Sequence, residues 1–223
     1  KSVIGHPMGA QVGYVADGIF KSQEEIDNHA KQDGATLGRM RWKDLDGNNI
    51  ITEADQDWIY DPTPDFSYGL NVYLEYKNFD FTMFWQGVQG VDIISDLKKQ
   101  TDIWAGLNIG FLNKGQRLLN AWSTTNPDSN IPALSLSDNN NEKRVSTYWV
   151  ENGSYVKLRT IQLGYNLPKS MTNRLAMQRL RFYISAQNLL SIHSKSFTGV
   201  DPENPNYGYP IPLNITFGIN VTF

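Results

Sequence analysis

The sequence predicts an all-β protein of antiparallel, up-and-down strands joined alternately by short turns and long loops. Its last ten residues, 214–223, alternate strictly between apolar and polar side chains, as in a strand whose two faces meet different environments. A second stretch, 66–86, contains two arms with the same alternation and a tight connection at Lys77 and Asn78. Short turns alternate with Pro/Gly-rich loops between the predicted strands, as an up-and-down order requires.

The terminal strand predicts which two environments the sheet separates. One face is β-branched and aromatic, and the other carries small and amide side chains. The apolar set is Ile215, Phe217, Ile219, Val221 and Phe223. About 9–11 residues let a tilted strand cross a bilayer, and small polar side chains suit a wet lumen. The sequence therefore indicates a transmembrane β-barrel strand, while a β-sandwich edge strand remains the alternative.

Composition is compatible with this interpretation and excludes other classes. The 223 residues are 40% hydrophobic, contain no cysteine and carry a net charge of -3. The lack of cysteine excludes disulfides and thiolate metal sites, and no nucleic acid is expected as a partner of a slightly acidic chain. No apolar run approaches the roughly 18–20 residues of a membrane helix. Residues 1–7 are not a signal peptide, so an exported protein is expected to begin upstream of them.

The first forty residues predict two small elements. A short strand is expected near 11–16, followed by a turn at Asp17 and Gly18. Ser22 stands three residues before Glu25, which is a capping-box pattern and predicts a short helix near 22–31.

A calcium-type loop at 42–57 is the sharpest local motif. Oxygen side chains fall at positions one, three, five and twelve of a twelve-residue loop, and a backbone carbonyl serves position seven. These positions are Asp44, Asp46, Asn48, Asp55 and, for the carbonyl, Ile50. A hard cation takes six to eight oxygen ligands, which a tight loop supplies from near neighbours. The prediction is a structural Ca²⁺; the alternative is an acidic turn without an ion.

Two positions depart from the usual calcium-loop pattern. Position six is Asn49 instead of glycine, although asparagine tolerates the left-handed conformation better than most residues. Position twelve is Asp55 instead of glutamate, and its shorter side chain reaches the ion with one oxygen or through water.

The hairpin at 66–86 has arms long enough to span a bilayer. Apolar residues of the first arm share one face: Phe66, Tyr68, Leu70, Val72, Leu74 and Tyr76. Aromatic residues near the strand ends match the interfacial girdles of membrane barrels. A sandwich hairpin is the alternative, but its arms are usually shorter.

A long extracellular loop is predicted at 87–147, with helix-like stretches at 96–101 and 111–122. Loops of this length are normally functional or disordered, and the long loops of an outer-membrane barrel face outward. Four aromatic residues are candidates for stacking on sugar rings in a substrate: Trp104, Trp122, Tyr148 and Trp149. Packing of the loop onto its neighbours is the alternative role.

The last third of the chain predicts further strands at 154–167 and 181–188, followed by a Pro/Gly-rich loop at 191–212. With the elements above, the sequence predicts about six strands.

Taken together, these motifs resemble the carboxyl-terminal part of the SusC/RagA family of TonB-linked outer-membrane transporters, over essentially the whole chain. The pieces that carry the resemblance are YVADGIF at 14–20, WKDLDGN at 42–48, YKNFD at 76–80, WQG at 85–87, YWVENGSYVKLR at 148–159, LGYNLP at 163–168, AQNLL at 186–190, GVDPE at 199–203 and the closing strand. Their order along the chain makes the match specific.

The resemblance implies a plugged barrel of about 22 strands in the bacterial outer membrane of Bacteroidetes-type organisms. It implies nutrient import of an oligosaccharide or a peptide, a SusD-like surface lipoprotein as partner, contact with outer-membrane lipid, and energy from the TonB complex. The plug, the earlier strands and the segment that contacts TonB are expected upstream of this chain. About six strands cannot close such a barrel, so the chain is expected to be one part of it.

Two other function classes compete with transport. A soluble carbohydrate-binding β-domain with a structural Ca²⁺ explains the calcium-type loop and the tryptophans, but poorly explains the long arms. The hypothesis of an enzyme is the weakest of the three, because the sequence lacks a nucleophile elbow, a metal-binding histidine cluster and a phosphate-binding glycine loop. No catalytic residue is therefore assigned.

Overall fold

The computed structural model describes residues 3–102, 114–135, 138–205 and 208–223. The chain divides into two compact units. Unit 1 comprises Lys1–Thr63, Asp92–Asn152 and Pro205–Tyr207, and unit 2 comprises Pro64–Val91, Gly153–Asn204 and Gly208–Phe223. Among the described residues, no helix combines the length and the apolar character needed to cross a bilayer.

Strands dominate the described residues, with a few short helices between them. In chain order the strands are β1 (Gln11–Tyr14), β2 (Ala16–Ile19), β3 (Met40–Trp42), β4 (Gln56–Tyr60), β5 (Phe66–Tyr76), β6 (Phe79–Gln89), β7 (Asp92–Ile94), β8 (Val150–Asn152), β9 (Tyr155–Asn166), β10 (Arg179–His193) and β11 (Asn214–Thr222). The α-helices are α1 (Gln23–Asp27), α2 (Asp96–Asp102) and α3 (Lys169–Thr172). Single 3₁₀ turns occur at Glu53–Asp55, Gln116–Asn120, Thr147–Trp149 and Asn173–Leu175.

Unit 2 is built on one five-stranded sheet in the order β11-β10-β9-β6-β5, with every neighbouring pair antiparallel. A tight turn joins β5 to β6, the connection from β9 to β10 contains α3 and the 3₁₀ turn at Asn173–Leu175, and longer segments join the other pairs. At the β5–β6 turn, Lys77 adopts a left-handed conformation with φ of 54°. This is the predicted antiparallel, up-and-down order, and the fold class is confirmed.

The sheet's apolar face is exposed along its length. On β11, Phe217 and Ile219 are 77% and 60% exposed, and on β5 Leu74 and Tyr76 are 59% and 71% exposed. The register aligns these residues with apolar partners on the neighbouring strands, such as Ile219 with Phe182. A continuous exposed apolar surface of this kind is typical of an interaction surface, and strands of membrane barrels present such a surface on one face.

Unit 1 contains three small two-stranded sheets, which pair β1 with β4, β2 with β3 and β7 with β8. Met40, Trp42 and Trp149 form the centre of its core. Partly buried residues that pack around them are Tyr14, Ala16, Ile51, Ile94 and Tyr148. These residues come from both chain segments that flank the hairpin, so long-range packing holds the unit together.

A buried polar network completes this core. The Gln32 side chain donates to the Met40 carbonyl (2.7 Å) and accepts from the Trp42 N–H (2.9 Å). Glu142 accepts from the Met40 N–H (2.9 Å) and pairs with Arg39 at 2.8 Å. Side chains thus satisfy backbone groups of β3, which would otherwise be costly to bury.

Several expectations are corrected by the structure. The predicted count of about six strands is wrong: the described residues contain eleven, of which five form the large sheet. The segment 87–147 is not purely loop, because β6 continues to Gln89 and β7 lies within the segment. β10 continues to His193 instead of ending at 188, since a bulge between Gln187 and Leu190 interrupts the alternation without ending the strand.

The predicted helices are shorter than expected. The helix expected at 22–31 is limited to α1 (Gln23–Asp27). Ser22 caps it by accepting from the Glu25 N–H at 3.2 Å, whereas the Glu25 carboxylate accepts from Lys21 at 2.8 Å, so only half of the capping box forms. The helix expected at 96–101 is confirmed as α2, and within 114–122 the described residues form one 3₁₀ turn at Gln116–Asn120.

Candidate functional site

Three carboxylates of the calcium-type loop converge. Asp44, Asp46 and Asp55 each offer an oxygen atom, and these atoms lie within 4.8 Å of one another. The sequence spacing predicted this convergence. Carboxylate oxygens at such separations can coordinate one hard divalent cation.

Short-range hydrogen bonds set the path of the loop. The two oxygens of Asp44 accept from the Gly47 and Asn49 N–H groups at 2.7 and 2.8 Å. Asp46 accepts from both the backbone and the side chain of Asn48, and the Asn48 Oδ1 accepts from the Ile50 N–H at 2.8 Å. Since each carboxylate oxygen has two lone pairs, these bonds leave acceptor capacity for a cation.

Asp55 anchors the loop from its carboxyl end. Its side chain is fully buried and accepts from the N–H groups of Leu45 and Thr52 at 2.8 and 2.7 Å. Burial acts to raise the pKa of Asp55, but the hydrogen bonds from Thr52, Leu45 and Asp46 outweigh it and leave the pKa below its ordinary value. Asp55 is therefore charged at neutral pH.

The rest of unit 1 supports this loop. Asn49 adopts φ of 62°, the left-handed conformation that position six requires. Its carbonyl accepts from the Lys31 N–H at 2.8 Å, and the Ile51 N–H donates to the Lys31 carbonyl at 3.0 Å. Ile51, at the apolar anchor position, packs against the core.

The predicted sugar-stacking residues have different surroundings. Trp149 is 1% exposed, and its indole N–H donates to the Glu142 and Arg144 carbonyls. Its ring is part of the core, so it has no free face for a sugar. Trp122 lies against Gly38, where an added Cβ would overlap its ring. Trp104 lies outside the described residues, and stacking by Trp104, Trp122 and Tyr148 stays a prediction.

Tyr148 belongs to a buried charged cluster that sequence reasoning missed. Its hydroxyl donates to Asp102 at 3.1 Å, and the Lys98 ammonium lies 4.1 Å from the centre of its ring. Arg117 pairs with Asp102 at 3.0 Å, and Lys98 lies 3.7 Å from Glu151. Burial raises the pKa of Asp102 and lowers the pKa of Lys98. The cluster fixes α2 against the 3₁₀ turn that carries Tyr148.

The polar face of the large sheet carries a buried ion pair near the β5–β6 turn. Arg181 on β10 binds both oxygens of Asp80 on β6, with a distance of 2.9 Å for one of the two bonds. The Asn166 amide donates to the same carboxylate at 3.1 Å. Gly164 lies beneath the pair, where a Cβ would overlap both Arg181 and Asp80. Glycine is therefore required by space at this position.

A second polar cluster lies further along β9. Lys157 pairs with Asp201 at 2.5 Å and with Glu203 at 2.6 Å. Arg159 also pairs with Glu203, and the Tyr155 hydroxyl donates to that carboxylate at 2.7 Å. The GVDPE motif at 199–203 contains both acidic residues, but nothing in its local pattern indicates their partners.

One apolar exposed face and one polar, ion-paired face are the pattern of the wall of a transmembrane β-barrel. No family model matches the chain. The chain is 34% identical to the TonB-dependent receptor P3 of Formosa agariphila over 98% of its own length and 22% of that relative. It is 28% identical to the TonB-dependent receptor SusC of Bacteroides thetaiotaomicron over 96% of its length and 20% of that relative.

Solved structures show the same fold. The structure of the RagAB peptide importer in its open-open state matches 96% of this chain and 22% of the solved chain, with a TM-score of 0.72 at 23% identity. The chain thus spans about a fifth of the length of the relatives it matches. The chain belongs with the TonB-dependent receptors, which are outer-membrane proteins, and it shares its fold with the matched part of the RagAB importer.

Proposed function

We propose that the protein to which this chain belongs imports a nutrient across the outer membrane. The observation that carries this proposal is the two-faced sheet, in which exposed apolar residues such as Phe217 and Leu74 oppose buried ion pairs such as Asp80–Arg181. A soluble carbohydrate-binding domain would have to leave the whole apolar face in water, which is unfavourable. Transport therefore explains the sheet better than soluble binding.

The proposed partners follow from the relatives. SusC-like receptors suggest a SusD-like surface lipoprotein outside the membrane and the TonB complex as the source of energy, and the apolar face suggests outer-membrane lipid as its contact. The proposed substrate is an oligosaccharide, and a peptide is the alternative, since matching solved structures are of the RagAB peptide importer.

The first experiment tests transport with the full-length protein. We expect it in the outer-membrane fraction, with a gel migration that changes on heating because a folded barrel resists unfolding in detergent. Cells lacking the gene are expected to lose uptake of the substrate, and cells lacking TonB activity are expected to lose it equally. A soluble, detergent-independent protein would contradict the proposal.

A second experiment distinguishes the two substrate classes. The deletion strain and its complemented control are grown on polysaccharides or on protein as the sole carbon source. A growth defect confined to polysaccharides supports oligosaccharide import. A growth defect confined to protein as the carbon source would mean that the substrate is a peptide and not an oligosaccharide, and the proposal of nutrient import would stand.

We also propose that the loop at 42–57 binds a structural Ca²⁺ through Asp44, Asp46, Asn48, the Ile50 carbonyl and Asp55. The convergence of three carboxylates supports the proposal, because three negative charges so close together repel one another unless a cation neutralises them.

Calcium binding is tested on the full-length protein after treatment with a chelator. Adding Ca²⁺ is expected to raise the temperature of the heat-induced gel shift or to increase protection of the loop from proteolysis. The variant Asp44→Asn/Asp46→Asn is expected to lose that response, whereas Glu53→Gln, an exposed acidic neighbour, is expected to retain it. Equal responses of all three proteins would contradict the assignment.

A further inference from the structure

The loop that follows β10 contains a preorganised acidic turn at residues 199–204. The Asn204 N–H donates to the Asp201 carbonyl at 3.0 Å, and the Glu203 N–H donates to the Asp201 side chain at 2.8 Å. Pro202 fixes the first central position of this turn, where its φ is favourable. Local bonds therefore fix the backbone of the turn and the carboxylate of Asp201, while side chains of β9 bind the carboxylate of Glu203.

The partners of this turn lie on the polar face of the sheet. Lys157 is the register partner of Gln86 on β6, and Gln86 lies on the same face of that strand as Asp80. Arg159 donates to the Gln86 side chain at 2.8 Å. The turn is thus held on the side that faces the lumen of a barrel, opposite the lipid-facing residues.

The contact is balanced in charge and partly buried. Two cationic groups, Lys157 and Arg159, meet two carboxylates, Asp201 and Glu203, and the Lys157 side chain is only 4% exposed. Burial acts to raise the pKa of Glu203, but Arg159, Lys157 and Tyr155 lower it to about 2. Glu203 therefore keeps its charge across the pH range in which bacteria grow.

A second contact fixes the start of the same loop. Phe197 is buried, and its ring packs edge-on against His193 with the ring centres 5.3 Å apart. Gly199 lies against this ring, where an added Cβ would overlap it. The loop is therefore attached at an apolar point and at an ionic point a few residues further on.

We propose that residues 194–204 form a fixed strap on the inner wall of the barrel, and that Lys157 and Arg159 are the residues that hold it there. The strap narrows the lumen permanently at this end of β9 and does not swing away as a lid. The strap has two independent attachments, and each of its carboxylates is paired with a cationic side chain of β9. A mobile surface loop differs in both respects, because its polar groups are normally satisfied by water.

Hydrogen–deuterium exchange of the full-length protein in detergent tests the strap. Amides in 197–204 are expected to be protected in the natural sequence, and Asp201→Asn/Glu203→Gln is expected to speed their exchange about 10–100-fold because charge-assisted hydrogen bonds are lost. The matched control is Lys195→Gln, an exposed residue of the same loop, which is expected to change nothing. The charge-preserving variant Lys157→Arg is expected to keep most of the protection.

Peptides from 155–166 and the heat-dependent gel shift report whether the barrel itself stays folded. The proposal is overturned if the natural strap exchanges as fast as unprotected peptide, or if the double variant folds and exchanges like the natural protein. Should the double variant not fold, Glu203→Gln alone, which leaves the Lys157–Asp201 pair in place, is judged by the same criterion.

Discussion

Removing Asp80 is expected to destabilise the barrel mainly because Arg181 would be left buried without a counter-charge. Both side chains are 10% exposed, and two charge-assisted hydrogen bonds join them. Breaking a buried pair by deleting one partner typically costs about 3–5 kcal/mol, whereas replacing both partners by apolar groups costs far less. We therefore expect Asp80→Ala to lower the free energy of unfolding by about 3–5 kcal/mol, and Asp80→Ala/Arg181→Met by about 1–2 kcal/mol.

The assay is urea-induced unfolding of the full-length protein in detergent micelles, with all variants measured under the same conditions. Glu75→Ala is the matched control. Glu75 is the register partner of Asp80 on β5, but its side chain is exposed, and the Tyr73 hydroxyl donates to it at 3.0 Å. Its loss is expected to cost less than about 1 kcal/mol. If the two single substitutions Asp80→Ala and Arg181→Met add up to the effect of the double variant, the reasoning about an unpaired buried charge is refuted.

Three further predictions concern backbone space, conformation and pH. Gly164→Ala is expected to displace the Asp80–Arg181 ion pair and to lower the free energy of unfolding by about 1–3 kcal/mol in the same assay. An unchanged urea midpoint would show that an added methyl group fits beside the ion pair. Asn49→Gly is expected to change the stability of the loop by less than about 0.5 kcal/mol, and Asn49→Val is expected to lower it by about 1–2 kcal/mol. The measurement is the protection of the loop from proteolysis. The pKa of Asp55 is lowered from 3.8 in the folded protein. The ionised Asp55 side chain therefore stabilises the fold at pH values above 3.8, and this stabilisation is lost as the pH falls through the lowered pKa. The stability difference between the natural protein and Asp55→Asn is therefore expected to be constant near neutral pH and to shrink only in strong acid.

The strands of the large sheet were predictable because period-two alternation is a local property of the chain. The first hairpin arm and the terminal strand match the predicted bounds within one residue, and the second arm extends three residues beyond its predicted end. β10 was predicted too short because Leu189 and Leu190 break the pattern beside Asn188, which adopts φ of 56° at the bulge. A bulge shifts the faces without ending the hydrogen bonding, so local periodicity cannot reveal it.

The calcium-type loop was predictable for the same reason. All of its oxygen donors lie within twelve residues, so spacing alone brings Asp44, Asp46 and Asp55 together. The role of Asp55 as a buried acceptor for backbone N–H groups was not evident from spacing, because it depends on how the 3₁₀ turn at Glu53–Asp55 folds back onto Leu45.

What the sequence determined by itself is therefore the two-faced strands, the converging acidic loop and, through its motifs, the class of outer-membrane receptor. Only the tertiary structure decided which charges meet. Asp80 and Arg181 are separated by 101 residues, and Lys157 and Asp201 by 44. Strand register and loop closure determine such pairs, and neither leaves a periodic signal in the sequence. Trp149 lies in the core of unit 1 for the same reason, because contacts with residues far away in the sequence, such as Met40 and Trp42, bury its ring.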